Sequence, residues 1–187
     1  KFDQNYKKKL VGIFPGSRLS ELKRHLPIYI ESANNIMRLN PHVEFALGLA
    51  PGFDPEKVRE IYNLSNIKIV SGKSIQLLEC CDLAIVTSGT ISLQAAFMGI
   101  PCIVGYKLSL LSWLISKTLV NVKYISMINI ILEKEVYPEL IQYNLTVSNI
   151  LESIKYCSFI SPAPTAFLAN SFSDALSIIS SVIFNIF

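Results

Sequence analysis

Short apolar runs alternate with longer segments of helical spacing through the first two-thirds of this chain. Lys9 to Phe14 is a strand-like run, broken by Pro15-Gly16-Ser17-Arg18. From Ser20 to Leu39 the residues Leu22, Leu26, Ile30, Ala33 and Met37 recur at steps of three or four, which predicts an amphipathic helix. Pro27 reads as early in that helix, where a first turn tolerates it. Asn40-Pro41 ends the helix, and Val43 to Leu49 is a second strand. Asp54 reads as an N-cap and Pro55 as the first residue of a helix reaching about Asn63. Ile67 to Val70 follows as a third strand, Ser74 to Cys80 as a short helix and Leu83 to Val86 as a fourth strand. Thr90 to Met98 is helical and stops at Gly99, and Pro101 to Gly105 is a fifth strand.

Strands alternating with helices through short connections predict an α/β fold: a Rossmann-type, doubly wound parallel sheet. Several of the strands are apolar at consecutive positions, as expected when helices cover both faces. Ligands of such sheets lie beyond the carboxyl ends of the strands, near the point where strand order reverses. After Tyr106 the pattern changes. Leu108 to Val120 reads as a mostly apolar helix containing Trp113, Tyr124 to Ile131 as irregular or strand-like, and Asn149 to Tyr156 as helical. Ala166 to Phe187 reads as one or two further helices, set off by Pro162 and Pro164. Residues 1–160 are therefore expected to form one Rossmann-like domain, with 161–187 as extra C-terminal helices packing on it or on a further domain.

Composition narrows the class. The 187 residues are 51% hydrophobic and 17% charged, which suits a globular chain with a real core and argues against disorder. A net charge of +3 gives no concentrated basic face, so nucleic acid is not an expected partner. Lys7-Lys8-Lys9 reads first as a solvated strand entrance, with an anionic membrane surface as the alternative. Cys80, Cys81, Cys102 and Cys157 show no CxxC spacing, and His25 and His42 are the only histidines, so no metal site is expected. The cysteines read as reduced, small, buried residues of a cytoplasmic protein. The polar opening Lys1 to Tyr6 does not suggest a signal peptide, and no apolar run reaches membrane-spanning length.

The chemistry concentrates in two turns. Leu83 to Val86 stops abruptly at Thr87-Ser88-Gly89-Thr90, and a helix follows. Such a turn gathers free N–H groups and hydroxyls at the positive end of a helix dipole, a setting for phosphate. Pro15-Gly16-Ser17-Arg18 also follows a strand, so both turns fall on one edge of the sheet. Neither GxGxxG nor GxxxxGK[ST] occurs, which argues against NAD and P-loop ATP sites. What remains is a phosphate site built from both turns. Arg18 supplies a fixed cationic fork, Ser17 a hydroxyl, and Ser88, Gly89 and Thr90 supply hydroxyls and helix-start amides. For either turn alone, simple turn geometry is an equal reading.

These residues resemble the C-terminal half of the lipid-A-disaccharide synthase family, glycosyltransferases of the two-domain GT-B architecture. The matching blocks are Phe14-Pro15-Gly16-Ser17-Arg18 with Glu21 and His25-Leu26-Pro27, then Ser88-Gly89-Thr90 with Leu93 and Ala95-Ala96, then Pro101 to Tyr106. Leu119-Val120, Lys123 to Ser126, Asn129-Ile130, Glu135-Val136 and Pro138-Glu139-Leu140 follow in the family's order, over about residues 9–155. The resemblance implies a donor-binding domain of an enzyme that moves 2,3-diacylglucosamine from UDP to 2,3-diacylglucosamine 1-phosphate. The products are the lipid A disaccharide and UDP, and no cofactor is expected. Gly16, Ser17, Arg18, Ser88, Gly89 and Thr90 map onto diphosphate binding. Asn129 and Glu139 map onto the donor pocket, with a loop-holding Asn and a helix-start Glu weighed equally.

Gln94 departs from the family pattern. GT-B donor domains usually place Glu there to accept hydrogen bonds from both ribose hydroxyls, and a neutral amide with one acceptor oxygen is expected to bind about tenfold more weakly. The resemblance also implies an N-terminal acceptor domain that would bind the acylated glucosamine 1-phosphate and hold the general base. No residue of this chain is assigned that role, and His25 is weighed mainly as a structural or surface residue. The apolar residues Leu110, Leu111, Trp113, Leu114 and Ile115 exceed what one helix face buries. Packing against a further domain is the favoured account, with a homodimer contact or peripheral contact with the inner membrane of a Gram-negative-type bacterium as alternatives. Competing readings are the donor half of another UDP-N-acetylglucosamine transferase, a non-catalytic nucleotide-sugar binding subunit, and a UDP-sugar 2-epimerase-like domain.

Overall fold

The computed structural model describes residues 8–109 and 123–160. Its centre is a six-stranded, all-parallel sheet in the order β3-β2-β1-β4-β5-β6. The strands are β1 (Lys9–Phe14), β2 (Val43–Leu49), β3 (Lys68–Ser71), β4 (Leu83–Thr87), β5 (Cys102–Tyr106) and β6 (Glu139–Ile141). The helices are α1 (Leu19–Leu39), α2 (Pro55–Tyr62), α3 (Ser74–Glu79), α4 (Thr90–Phe97), α5 (Met127–Ile131) and α6 (Val147–Ile160). This is the expected Rossmann-type, doubly wound arrangement. Strand order reverses between β1 and β4, the place where such sheets open a crevice at their carboxyl edge.

The apolar runs are continuous because alternate side chains enter two cores. Val11, Ile13, Ile85 and Ile103 pack on one face with Leu22, Leu26, Tyr29 and Ala33 of α1 and Ile150 of α6. Phe14, Ala84, Val86 and Val104 pack on the other with Leu77 and Leu78 of α3, Ala95 and Ala96 of α4, and Ile128 of α5. At the entrance of β1, Lys8 pairs with Glu44 at 2.6 Å and Lys9 with Asp82 at 2.8 Å, so these two lysines of the basic triplet sit in exposed ion pairs. At α2, Asp54 accepts from the Glu56 amide at 3.0 Å and Pro55 opens the helix, as the sequence suggests.

Several expectations need correction. Because α1 begins at Leu19, Pro27 lies in its interior rather than its first turn. An interior proline removes one helix hydrogen bond at a cost of roughly 3 kcal/mol. Pro27 is exposed, and the helix is held through it by the opposite face, where Leu22, Leu26, Tyr29, Ile30 and Ala33 are buried. Met127–Ile131 is a helix rather than an irregular or strand-like segment, opened by Ser126, whose hydroxyl accepts from the Asn129 amide. β6 was not anticipated from the sequence. Its three residues take strand form by pairing with the free edge of β5, Val104 to Glu139 through Tyr106 to Ile141. Cys80 is exposed at the end of α3, unlike the buried Cys81 and Cys102, because the helix ends there and turns the side chain outward. The apolar helix read over Leu108 to Val120 lies largely, and the C-terminal helices from Ala166 entirely, outside the described residues.

Candidate functional site

The two turns meet at the reversal point. β1 and β4 are direct neighbours, with Phe14 opposite Val86, so each strand delivers its following turn to the same crevice. A cavity of about 330 Å³ lies between them, lined by Gly16, Ser17, Arg18 and Glu21 on one side and by Ser88, Gly89, Thr90, Ile91 and Gln94 on the other. That volume falls within the range of small-molecule sites. Seven of the nine residues singled out from the sequence are thus brought together. A larger groove, about 850 Å³, runs between the second half of α1 and the α2–β3 connection. Its one lining cation, Arg38, donates to Asn35 Oδ1 at 2.8 Å, and the groove lies away from the carboxyl edge.

α4 supplies the positive end of a helix dipole. Gly89 stands at its N-cap without a side chain, and Ser92 Oγ turns back to donate to the Gly89 carbonyl at 2.8 Å. No side-chain cap engages the first-turn amides, which are therefore suited to an anion. The Ser88 hydroxyl donates to the Ile125 carbonyl at 2.8 Å, so its hydrogen is committed to the fold. Across the cavity, the Arg18 guanidinium is largely exposed. Gly16 holds φ at +104°, in the left-handed region that glycine adopts at no steric cost. Glu21, one turn into α1, accepts from the Ser17 amide at 2.9 Å and the Arg18 amide at 3.2 Å. Sequence reasoning matched Glu21 to the family but gave it no role. The signal is its place three residues after the Arg18 N-cap, where a Glu caps backward.

Asn129 and Glu139 stand outside this cavity and form a clamp, Asn129 buried and Glu139 half-buried. Asn129 Nδ2 donates to the Tyr137 carbonyl at 2.8 Å and to Glu139 Oε1 at 2.9 Å. Its Oδ1 accepts from the amides of Val136 at 2.8 Å and Tyr137 at 3.0 Å. The Glu139 carboxylate accepts from the amides of Ile125 at 2.8 Å and Ser126 at 2.9 Å. The clamp thus fixes the same Ile125 whose carbonyl receives Ser88.

His25 is fully buried. Its Nε2 accepts from the Lys107 amide at 2.9 Å, which requires an unprotonated Nε2, and its ring stacks near Tyr29 and Tyr106. Burial lowers its pKa, while the backbone of Glu21 and Pro15 pulls it partly back; Nδ1 meets no partner at hydrogen-bonding geometry. These contacts tie α1 to the segment leaving β5, a structural role. Burial pushes the Cys81 thiol up to about 12 and the Cys157 thiol up to about 11, so neither is a ready nucleophile. Among the described residues no three His, Cys, Asp or Glu side chains gather as a metal would require.

Comparison with known proteins shows the family and the fold. The family model described as lipid-A-disaccharide synthetase matches residues 2–159. The lipid-A-disaccharide synthase of Psychromonas ingrahamii is 36% identical over 151 residues, covering 79% of this chain and 40% of that protein. The enzyme of Nitrosococcus oceani is also 36% identical, over 145 residues, covering 76% of this chain and 37% of its own. The chain therefore spans about two-fifths of the length of these curated relatives. Among solved structures, WaaG, a glycosyltransferase involved in lipopolysaccharide biosynthesis, superposes with a TM-score of 0.58 at 14% identity, covering 90% of this chain and 43% of that one. The UDP-GlcNAc 2-epimerase of Neisseria meningitidis bound to UDP-GlcNAc gives a TM-score of 0.52 at 16% identity, over 95% of this chain and 45% of that one. The fold is that of the GT-B glycosyltransferases, which the epimerase shares; the family match separates the two.

Proposed function

The chain belongs to the lipid-A-disaccharide synthase family, and from that premise we propose that it is the donor-binding half of a transferase that moves 2,3-diacylglucosamine from UDP to 2,3-diacylglucosamine 1-phosphate. The observation that carries this reading is the meeting of the Arg18 turn and the α4 start across one cavity at the β1–β4 reversal. Departure of UDP builds negative charge on the diphosphate. A guanidinium on one wall and a helix start on the other stabilise that charge as the glycosidic bond breaks. Thr90 and the Ser17 hydroxyl add hydrogen bonds. Gln94 lies one turn into α4 on the cavity wall, and on this reading its one amide oxygen takes the ribose.

Glu139 and Asn129 serve this site through the backbone. They hold Ile125, and Ile125 holds Ser88. The acylated acceptor and the general base belong, on this reading, to the N-terminal acceptor domain that the family resemblance implies, at the cytoplasmic face of the inner membrane. The chain by itself then binds UDP without transferring sugar. Calorimetric titration tests this: UDP binds the chain, and Arg18→Ala removes most of that binding. Unchanged affinity in Arg18→Ala, or disaccharide formation by the chain alone, contradicts it.

A further inference from the structure

We propose that Glu21 is a positioning residue for the donor diphosphate, its carboxylate filling the amide nest of the Gly16–Arg18 turn and holding the Arg18 side chain at the cavity rim. This inference rests on the donor-site reading above. Glu21 Oε2 takes both turn amides, Ser17 at 2.9 Å and Arg18 at 3.2 Å, while Oε1 lies 3.4 Å from Arg18 Nη1. The carboxylate seats directly on the bare Cα of Gly16. A Cβ there would collide with Glu21 Oε2 and lie 2.8 Å from Glu21 Cβ. The turn has therefore been built around this side chain as well as around its own φ.

The two partners are unequally exposed, 14% for the Glu21 side chain and 78% for Arg18. The carboxylate is an inner support and the guanidinium an outer tool. A guanidinium carries five N–H donors. One faces Glu21, which leaves four for a phosphate. The same arrangement constrains the diphosphate. Its oxygens cannot use the Ser17 and Arg18 amides without meeting a carboxylate already at hydrogen-bond distance, where like charges repel. At this wall the diphosphate is therefore held by side chains, Arg18 and the Ser17 hydroxyl. Backbone donation comes from the opposite wall, at the start of α4. The competing arrangement is a plug, in which the donor displaces the carboxylate from its nest.

UDP titration of the wild-type chain, Glu21→Gln, Glu21→Ala and Gly16→Ala separates the two, read together with the Ser17 and Arg18 amide resonances. Gln keeps an acceptor oxygen for the nest; Ala does not. Gly16→Ala keeps the charge and evicts it. Positioning predicts that Glu21→Ala and Gly16→Ala weaken UDP by about tenfold or more and shift both amides, while Glu21→Gln stays within about threefold of wild type. Affinity in Glu21→Ala equal to or tighter than wild type overturns positioning in favour of the plug. An equal loss in Gln and Ala overturns it too. If the wild-type chain fails to bind UDP, the donor-site reading itself falls, and the inference with it.

Discussion

Asn129→Ala isolates the clamp behind the site. The side chain is fully buried and makes four hydrogen bonds, to the Tyr137 carbonyl, Glu139 Oε1 and the amides of Val136 and Tyr137. Truncation leaves the Tyr137 amide and carbonyl without these partners, while the Val136 amide keeps the Lys134 carbonyl at 3.1 Å. Glu139 Oε1 keeps the Ser126 amide at 2.9 Å, so it is not orphaned. An unsatisfied buried group costs about 1–3 kcal/mol, and a water entering the vacated space recovers part of that. The expected loss is about 2–4 kcal/mol, a large share of the roughly 5–15 kcal/mol that holds a domain together. Urea denaturation followed by far-UV circular dichroism reads it as a lowered midpoint at unchanged slope. Asn129→Asp keeps Oδ1 for both amides but sets a second carboxylate against Glu139, so it too is destabilised. Measured well below its melting temperature, Asn129→Ala weakens UDP less than Arg18→Ala does. A stability loss under about 1 kcal/mol, or a UDP defect larger than that of Arg18→Ala, refutes the clamp and favours direct contact with the donor.

Gly105→Ala puts a Cβ into collision with the Tyr29 hydroxyl and 2.8 Å from Leu145 Cδ1, so a stability loss of about 1–3 kcal/mol is expected. Adding Tyr29→Phe removes the clashing oxygen, and a double-mutant cycle should show positive coupling; strict additivity would mean the backbone moves instead. His25 has a pKa below its ordinary 6.5 because burial penalises the imidazolium. Its contribution to stability is therefore complete above pH 6.5 and is lost as pH falls through the folded value, since the unfolded chain takes up the proton first. Denaturation midpoints between pH 7.5 and 5.5 should fall in wild type and flatten in His25→Gln; an unchanged slope counts against this assignment. Gln94→Glu is expected to tighten UDP by about tenfold through charge-assisted bonds to the ribose, read by calorimetry. Weaker binding would show that Gln94 faces the diphosphate rather than the ribose.

Where the chain was easy to read, local signals were sharp. Buried strands such as Leu83–Thr87 are unbroken apolar runs stopped by small polar residues, and both turns followed strands directly, so their convergence came from topology alone. Harder elements were those made by tertiary contact. β6 has three residues and owes its form to the free edge of β5. The five residues of α5 are too few for a helical period to show. The family resemblance maps Asn129 and Glu139 onto the donor pocket, with structural roles weighed equally. Only the folded chain reveals that their polar atoms are directed at loop backbone. Glu21 enters the sequence reading only as a family match, and its seat on Gly16 depends on a φ of +104° that no periodicity encodes. Pro27 misled because proline usually marks a helix start, and here the buried face of α1 outweighs the lost bond.

The position of the donor diphosphate decides between these readings. The most direct measurement is a titration of UDP into isotopically labelled chain, following backbone amide resonances. The account predicts the largest shifts at Gly89, Thr90 and Ile91, with smaller ones at Ser17 and Arg18, whose amides already point at Glu21. Shifts centred on Asn34, Asn63 and Asn66 in the α1–α2 groove, with the two turns silent, would contradict it.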